Sequence, residues 1–372
     1  MEERVVKNRT AAKRKFVYSK FKILHDLELS NSLREGKAFA PKSVRLDLTT
    51  NCNHNCYYCL YESVSDGLKG VSLNSNFPKN QNIDTARVIR LITELEETGV
   101  KALTLTGGGE PTLHPDFRQI FERILSGTMD VGIITNGTKA GLLSAYKKSI
   151  RFKWARISVD ASNEITWKKV HDPKDKRQSF GRLKETIRQL CYDKSEDLMV
   201  GLGFVICQEN YAEVYDFIKM AKEIGVDNVR VGILYGHGFE ERHRAYLSKA
   251  RHLISKAIHD FEDAFFRIFD KTKRYDNLSL KFKDYDDCKF QDISASIGAD
   301  LRLYPCCFTK YSPQYAMGFL GDKSFADAWF NERTAFRKKF DLNACPPCWY
   351  DENNRILEYL SLKNPPHVNF ID

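Results

Sequence analysis

The 372-residue sequence predicts an α/β fold built on a parallel sheet, and two observations carry that expectation. β-rich runs alternate with amphipathic stretches up to residue 234, and the residues able to do chemistry cluster just after those runs. The runs are Val44–Thr49, Ala102–Thr106, Val131–Thr135, Ala155–Val159, Met199–Cys207 and Asn228–Leu234. Between them, Thr85–Thr98, Phe117–Ser126, Phe180–Tyr192 and Tyr211–Ile224 repeat apolar residues at helical spacing. This alternation implies right-handed crossovers and a parallel sheet, with ligands gathered at the C-terminal strand ends.

The first run leads into Cys52-Asn-His-Asn-Cys56-Tyr-Tyr-Cys59, three cysteines in one compact loop. Thiolates so placed suit three corners of an iron–sulfur cube and leave one iron without a protein ligand. Zinc with a remote fourth ligand is the other reading. The second run ends in Gly107-Gly-Gly-Glu-Pro-Thr-Leu-His-Pro115, where glycines permit close backbone approach and Glu110 suits a bound ammonium group. Asn136 follows the third strand in a Thr-Asn-Gly turn, and Ser158 and Asp160 share one face of the fourth strand's exit.

The CxxxCxxC loop and the Gly-Gly-Glu-Pro turn, in this order, resemble the radical S-adenosylmethionine (SAM) enzymes. The resemblance implies a partial (β/α)6 barrel and a 4Fe–4S cluster on Cys52, Cys56 and Cys59. The open iron of that cluster would chelate the methionine part of SAM. Gly108, Gly109 and Glu110 would then hold the methionine ammonium, and Tyr58 would pack near adenine. Asn136, Ser158 and Asp160 would meet the ribose or carboxylate, while Val205 and Val231 would contact adenine or serve the core. A reducing partner such as flavodoxin or ferredoxin is also implied, as is hydrogen abstraction by a 5′-deoxyadenosyl radical.

The C-terminal part adds Cys288, the Gly298-to-Cys306 segment followed by Cys307, Phe325-Ala-Asp-Ala-Trp329, and Cys345-Pro-Pro-Cys348. It resembles the SPASM and twitch modules, which bind auxiliary clusters. It offers fewer cysteines than a full SPASM module, so one auxiliary cluster, a second 4Fe–4S centre, is expected on Cys288, Cys306, Cys345 and Cys348. Cys307 competes with Cys306, and a zinc site is the alternative. Cys191 and Cys207 lie in apolar elements and read as buried, inert thiols.

The expected organisation is a basic extension over 1–40, the barrel over 41–240, a linking helix over 241–280 and the cluster domain over 281–372. The helix rests on Ala245–Lys273, where Leu247, Ile254, Ile258, Phe261, Phe265 and Ile268 recur at helical spacing. A composition of 42% hydrophobic and 29% charged residues supports one barrel-sized and one smaller domain. No apolar stretch resembles a signal peptide or membrane span, so a cytoplasmic location without membrane contact is expected, where clustered cysteines mean metal or catalysis.

Net charge is +9, and residues 4–22 carry eight Lys or Arg interleaved with Phe16, Tyr18 and Phe21. Such a segment is either a solvated terminal helix or an arm for nucleic acid. Only about forty residues precede the first strand, too few for the winged-helix leader-binding domain of many peptide-modifying relatives. The expected reaction is oxidation or rearrangement at a C–H bond of a small-molecule or peptidyl substrate, lined by the insertion Leu60–Asn82 and by 235–243 with His237 and His243. Modification of a base in DNA or RNA is the rival enzyme reading. A zinc-stapled, non-catalytic nucleic-acid-binding protein is the rival of another class, and it has no use for the glycine turn.

Overall fold

A computed structural model describes residues 14, 16–61, 77–234, 243–279 and 283–370. Seven strands run parallel in chain order: β1 Ser43–Asp47, β2 Ala102–Thr106, β3 Asp130–Thr135, β4 Phe152–Ser158, β5 Met199–Ile206, β6 Asn228–Ile233 and β7 Arg267–Asp270. On the other side of β1 lies β8 Ser294–Ile297, also parallel, followed by antiparallel β9 Arg302–Tyr304 and β10 Gly318–Phe319. The sheet order is β10-β9-β8-β1-β2-β3-β4-β5-β6-β7, a partial barrel continued by a C-terminal antiparallel region.

Alternation along the strands decides the two faces. Val44, Leu46, Leu103, Leu105, Ile133, Ile157, Leu202 and Val229 are buried in one core with the surrounding helices. The helix Thr85–Thr98 contributes Val88, Leu91, Ile92 and Leu95, and Asp84 caps it by accepting from the Arg87 amide. Each such side chain contributes about 1.5–3 kcal/mol when fully buried. The opposite strand positions carry Arg45, Asp47, Thr106, Arg156, Ser158 and Arg230, so the inner face is polar and able to hold ligands.

The six expected strands and the four helical stretches are present. The linking helix is not continuous. It runs Leu247–Phe261, and β7 follows. Glu262 turns extended and Asp263 accepts from the Phe265 and Phe266 amides at 2.7 and 2.8 Å, which ends the helix. Phe265 is consequently exposed, whereas Ile268 is buried on β7. Residues 241–280 therefore contain a barrel strand as well as a helix.

The described part of the basic extension docks on the fold. Arg14 pairs with buried Asp227 at 2.8 Å, and Tyr18 meets Phe269 edge-on at 4.7 Å. Most of the expected substrate-lining insertion and His237 lie outside the described residues. His243 is a buried tie between Leu234 O, at 2.6 Å, and the Tyr246 hydroxyl, at 2.5 Å. Among the described residues no helix is long and apolar enough to cross a membrane.

Candidate active site

The three-cysteine loop leaves β1 and is fastened on both sides. The Tyr57 amide donates to Val170 O at 2.9 Å, the Asn55 amide to Asp172 O at 3.1 Å, and the Lys174 amide to Asn53 O at 2.9 Å. On the other side the Gly109 amide donates to Thr49 O at 3.2 Å and the Glu110 amide to Asn51 O at 2.8 Å. A Cβ on Gly109 would lie 2.2 Å from Asn51 O, and one on Gly108 would lie 2.1 Å from the Phe77 ring. Only glycine lets this turn press against the chain that enters the cysteine loop.

Glu110 is buried and braces neighbouring strands. Its Oε1 accepts from the Thr112 amide, the Thr112 hydroxyl and the Thr135 hydroxyl at 3.1, 2.6 and 2.7 Å, and its Oε2 accepts from the Asn136 amide at 2.7 Å. Burial nevertheless pushes its carboxyl above the usual range. With one donor on Oε2, that oxygen keeps acceptor capacity for a ligand cation. The Asn136 side-chain amide donates to Asn53 at 2.8 Å, beside the Cys52 sulfur.

Cys52, Cys56, Tyr58, Cys59, Gly108, Gly109, Glu110, Asn136, Ser158, Asp160 and Val205 all border one cavity of about 320 Å³. Val231 does not. It is fully buried on the outer face, because β6 places Arg230 and Gly232 inward, and Ile233 and Leu234 take its expected place on the cavity wall. Trp349, from the C-terminal region, also borders this cavity.

Two residues escaped the sequence reading. His171 ends the helix Glu164–His171 with Nδ1 3.4 Å from Cys56 Sγ, while Nε2 lies 3.1 Å from both Val159 O and Asp160 Oδ2. A lone histidine in a helical last turn carries no sequence signal for this role. His54, aimed by Gln178 at 3.1 Å, stands beside it, and burial lowers its pKa to about 3, leaving the ring neutral. Lys310 is the second kind of omission. It is fully buried against Asp47, and that carboxylate inside an apolar strand was a legible demand for a partner.

In the tail, burial pushes the Cys288 thiol up to about 12 and Cys345 up to about 11, with Cys348 adding to both. Burial likewise raises Cys306, which also feels Cys307, Cys345 and Cys288. Cys348 accepts from the Tyr350 amide at 3.3 Å. Cys307 has polar partners of its own. Burial opposes its thiolate, but Arg45, the Tyr350 hydroxyl 3.2 Å away and Lys310 outweigh that and hold it below the ordinary value. Cys191 and Cys207 are pushed to about 12 by burial, as inert thiols would be.

The donor sets, three cysteines in one loop and four in the tail, fit iron–sulfur clusters, which cysteine thiolates hold. Among the described residues His54, Cys56 and His171 bring their ligand atoms within 4.8 Å of one another.

A sheet of this topology, with a three-cysteine loop and glycine turn on one strand-end cavity, defines a SAM-dependent iron–sulfur protein. Residues 46–206 match the radical SAM superfamily, and residues 288–349 match the SPASM iron–sulfur cluster-binding domain. The chain belongs to the radical SAM superfamily and carries a C-terminal SPASM domain. It is 29% identical over 185 residues to a probable GTP 3′,8-cyclase of Pyrococcus abyssi, covering 49% of this chain and 53% of that protein. It is 26% identical over 269 residues to the subtilosin biosynthesis protein AlbA of Bacillus subtilis, covering 68% of this chain and 54% of AlbA. The chain thus spans about half the length of these curated relatives. Streptococcus suis SuiB bound to its precursor peptide SuiA shares the fold, with a TM-score of 0.59 and 14% identity over 85% of this chain and 72% of that one.

Proposed function

We propose that this protein is a radical SAM enzyme that abstracts hydrogen from a C–H bond of a small-molecule or peptidyl substrate, with one auxiliary cluster in its tail. The observation that carries this reading is the convergence of the three-cysteine loop, the glycine turn and Trp349 on one cavity. When bound, the cluster and SAM supply one-electron cleavage to a 5′-deoxyadenosyl radical. Cys52, Cys56 and Cys59 would hold the first cluster; Cys288, Cys306, Cys345 and Cys348 would hold the second. Glu110 Oε2 and the Gly108–Gly109 backbone would orient the methionine ammonium, and Tyr58, Ser158, Asp160 and Val205 would wall the nucleoside side. Asp160 fixes this wall by accepting from the Val205 amide at 2.6 Å.

Relatives named for GTP cyclisation and for bacteriocin biosynthesis support both substrate types. A cytoplasmic setting with a flavodoxin- or ferredoxin-like donor belongs to this reading. Anaerobic reconstitution followed by metal analysis and dithionite reduction tests it. About eight irons per chain, as two cubes require, and 5′-deoxyadenosine from SAM are expected. Two zincs, negligible iron and no cleavage would overturn it.

A further inference from the structure

Four cationic side chains meet on the inner face of the sheet, with Asp270 beside Lys271 as a carboxylate that acts on it without forming an ion pair. Arg156 on β4 and Arg230 on β6 project inward, and Lys271 and Arg274 enter just after β7; all four border a cavity of about 110 Å³. Among the described residues none of them makes an ion pair or a side-chain hydrogen bond. Arg230 lies over the Tyr18 ring at 5.8 Å and Arg274 over Trp349 at 5.5 Å. Asp160 also borders the cavity, but its two oxygens are engaged by the Val205 amide and His171.

This gathering is costly in the absence of an anion. Burial and the neighbouring Arg156 charge lower the Arg230 pKa to about 9, and burial with Arg230 and Arg274 lowers Lys271. Packing does not require the cluster, since the chain leaves space there. A Cβ on Gly232 would meet nothing within 4 Å, and one on Gly203 would find only Arg156 Cδ and strand backbone near 3.8–3.9 Å. The cavity shares Ser158, Asp160, Val205, Ile233 and Trp349 with the cysteine cavity, and Lys271, Arg274 and Trp349 with a cleft of about 700 Å³ on its other side. The cations therefore lie between that cleft and the cysteine loop.

We propose that this chamber binds the substrate through a polyphosphate group, with Arg156, Arg230, Lys271 and Arg274 as its receptor. The inference rests on the radical SAM reading, because it treats the adjoining cavity as the reaction site. The methionine carboxylate of SAM could neutralise at most one of four cations. A di- or triphosphate brings several negative charges within a few ångströms, and guanidinium forks match phosphoryl oxygens bidentately.

The test uses the full chain, reconstituted anaerobically, and inorganic tripolyphosphate as probe, with citrate as the polycarboxylate comparison. Calorimetry should show saturable tripolyphosphate binding that weakens with salt and falls on the order of ten-fold or more in Arg230→Gln and in Arg274→Gln, as loss of a charge-assisted contact predicts. Absent binding, equal binding in both variants, or tighter binding of citrate would overturn the proposal. Melting curves provide the folding control. Removing an unpaired buried cation should raise the melting temperature of Arg230→Gln without ligand, while tripolyphosphate should raise that of the native protein more. Equal ligand-induced shifts would also overturn it. Formation of 5′-deoxyadenosine by the native protein is scored separately, so failure of the radical reading is distinguishable from failure of the polyphosphate site.

Discussion

Asp47, the last residue of β1, accepts the Lys310 ammonium at 2.6 Å and so ties the barrel to the SPASM region through a pair that is fully buried. The same carboxylate accepts the Tyr311 hydroxyl at 2.7 Å and the Gly108 amide at 3.0 Å. Burial works against the Lys310 charge, yet Asp47 more than offsets it and holds the ammonium above its ordinary pKa. One carboxylate thereby positions the glycine turn and anchors the chain just beyond Cys306 and Cys307.

Breaking this pair from one side should be severe. Lys310→Met strands the Asp47 charge, and loss of one partner of a buried pair costs about 3–5 kcal/mol. Chemical denaturation of the single variant and of Asp47→Asn with Lys310→Met measures it. The double variant should recover a large part of the loss, and equal losses in both would contradict the coupling.

Replacing Cys52, Cys56 and Cys59 together with Ala should abolish SAM cleavage while the tail retains its iron. Iron content and 5′-deoxyadenosine, measured on the same anaerobic sample, check both halves. Cleavage at the native rate would remove these cysteines from the cluster.

Glu110→Gln keeps the shape but replaces an acceptor with a donor among four donors, so one contact becomes repulsive. SAM affinity should drop roughly ten- to hundred-fold, the equivalent of about 1.5–3 kcal/mol for a charged contact, with iron unchanged. Equilibrium binding of SAM decides it, and an unaltered dissociation constant rejects the role.

His171→Leu should leave the first cluster assembled but lower its reduction potential. Nε2 faces two acceptors, Val159 O and Asp160 Oδ2, so Nδ1 donates to a Cys56 thiolate in the doubly protonated ring, and hydrogen bonds to cluster sulfurs raise the potential. Loss of a bond worth about 1 kcal/mol corresponds to roughly 40 mV for one electron. Spectroscopic redox titration reads the shift; an unchanged midpoint would make the contact merely structural.

The two adjacent tail cysteines should separate. Cys306→Ala should remove about half the iron, as for one of two cubes, and so should Cys345→Ala with Cys348→Ala, uncoupling SAM cleavage from product formation. Cys307→Ala should keep the full complement, because its thiol is engaged by Arg45 and the Tyr350 hydroxyl. Metal ligation also folds small modules, so melting curves accompany the iron assay. Equal iron loss at both positions would reject this division.

The sequence by itself determined the parallel sheet, because apolar alternation and helical spacing are local patterns that each strand and helix writes into its own residues. It also determined which loops carry the cysteines and the glycine turn, since both motifs are contiguous. It misread Ala245–Lys273, where the strand Arg267–Asp270 is too short for its period to stand out beside a strong helix. Tertiary structure alone decided that β8 would pair with β1, that His171 would reach Cys56 and that Lys310 would meet Asp47. It also decided that Arg156, Arg230, Lys271 and Arg274 would share one chamber. The physical reason is common to all four: a partner distant in sequence, whether strand, charge or ligand, has no local signature, and only chain folding brings the groups within the few ångströms where hydrogen bonds and Coulomb forces act.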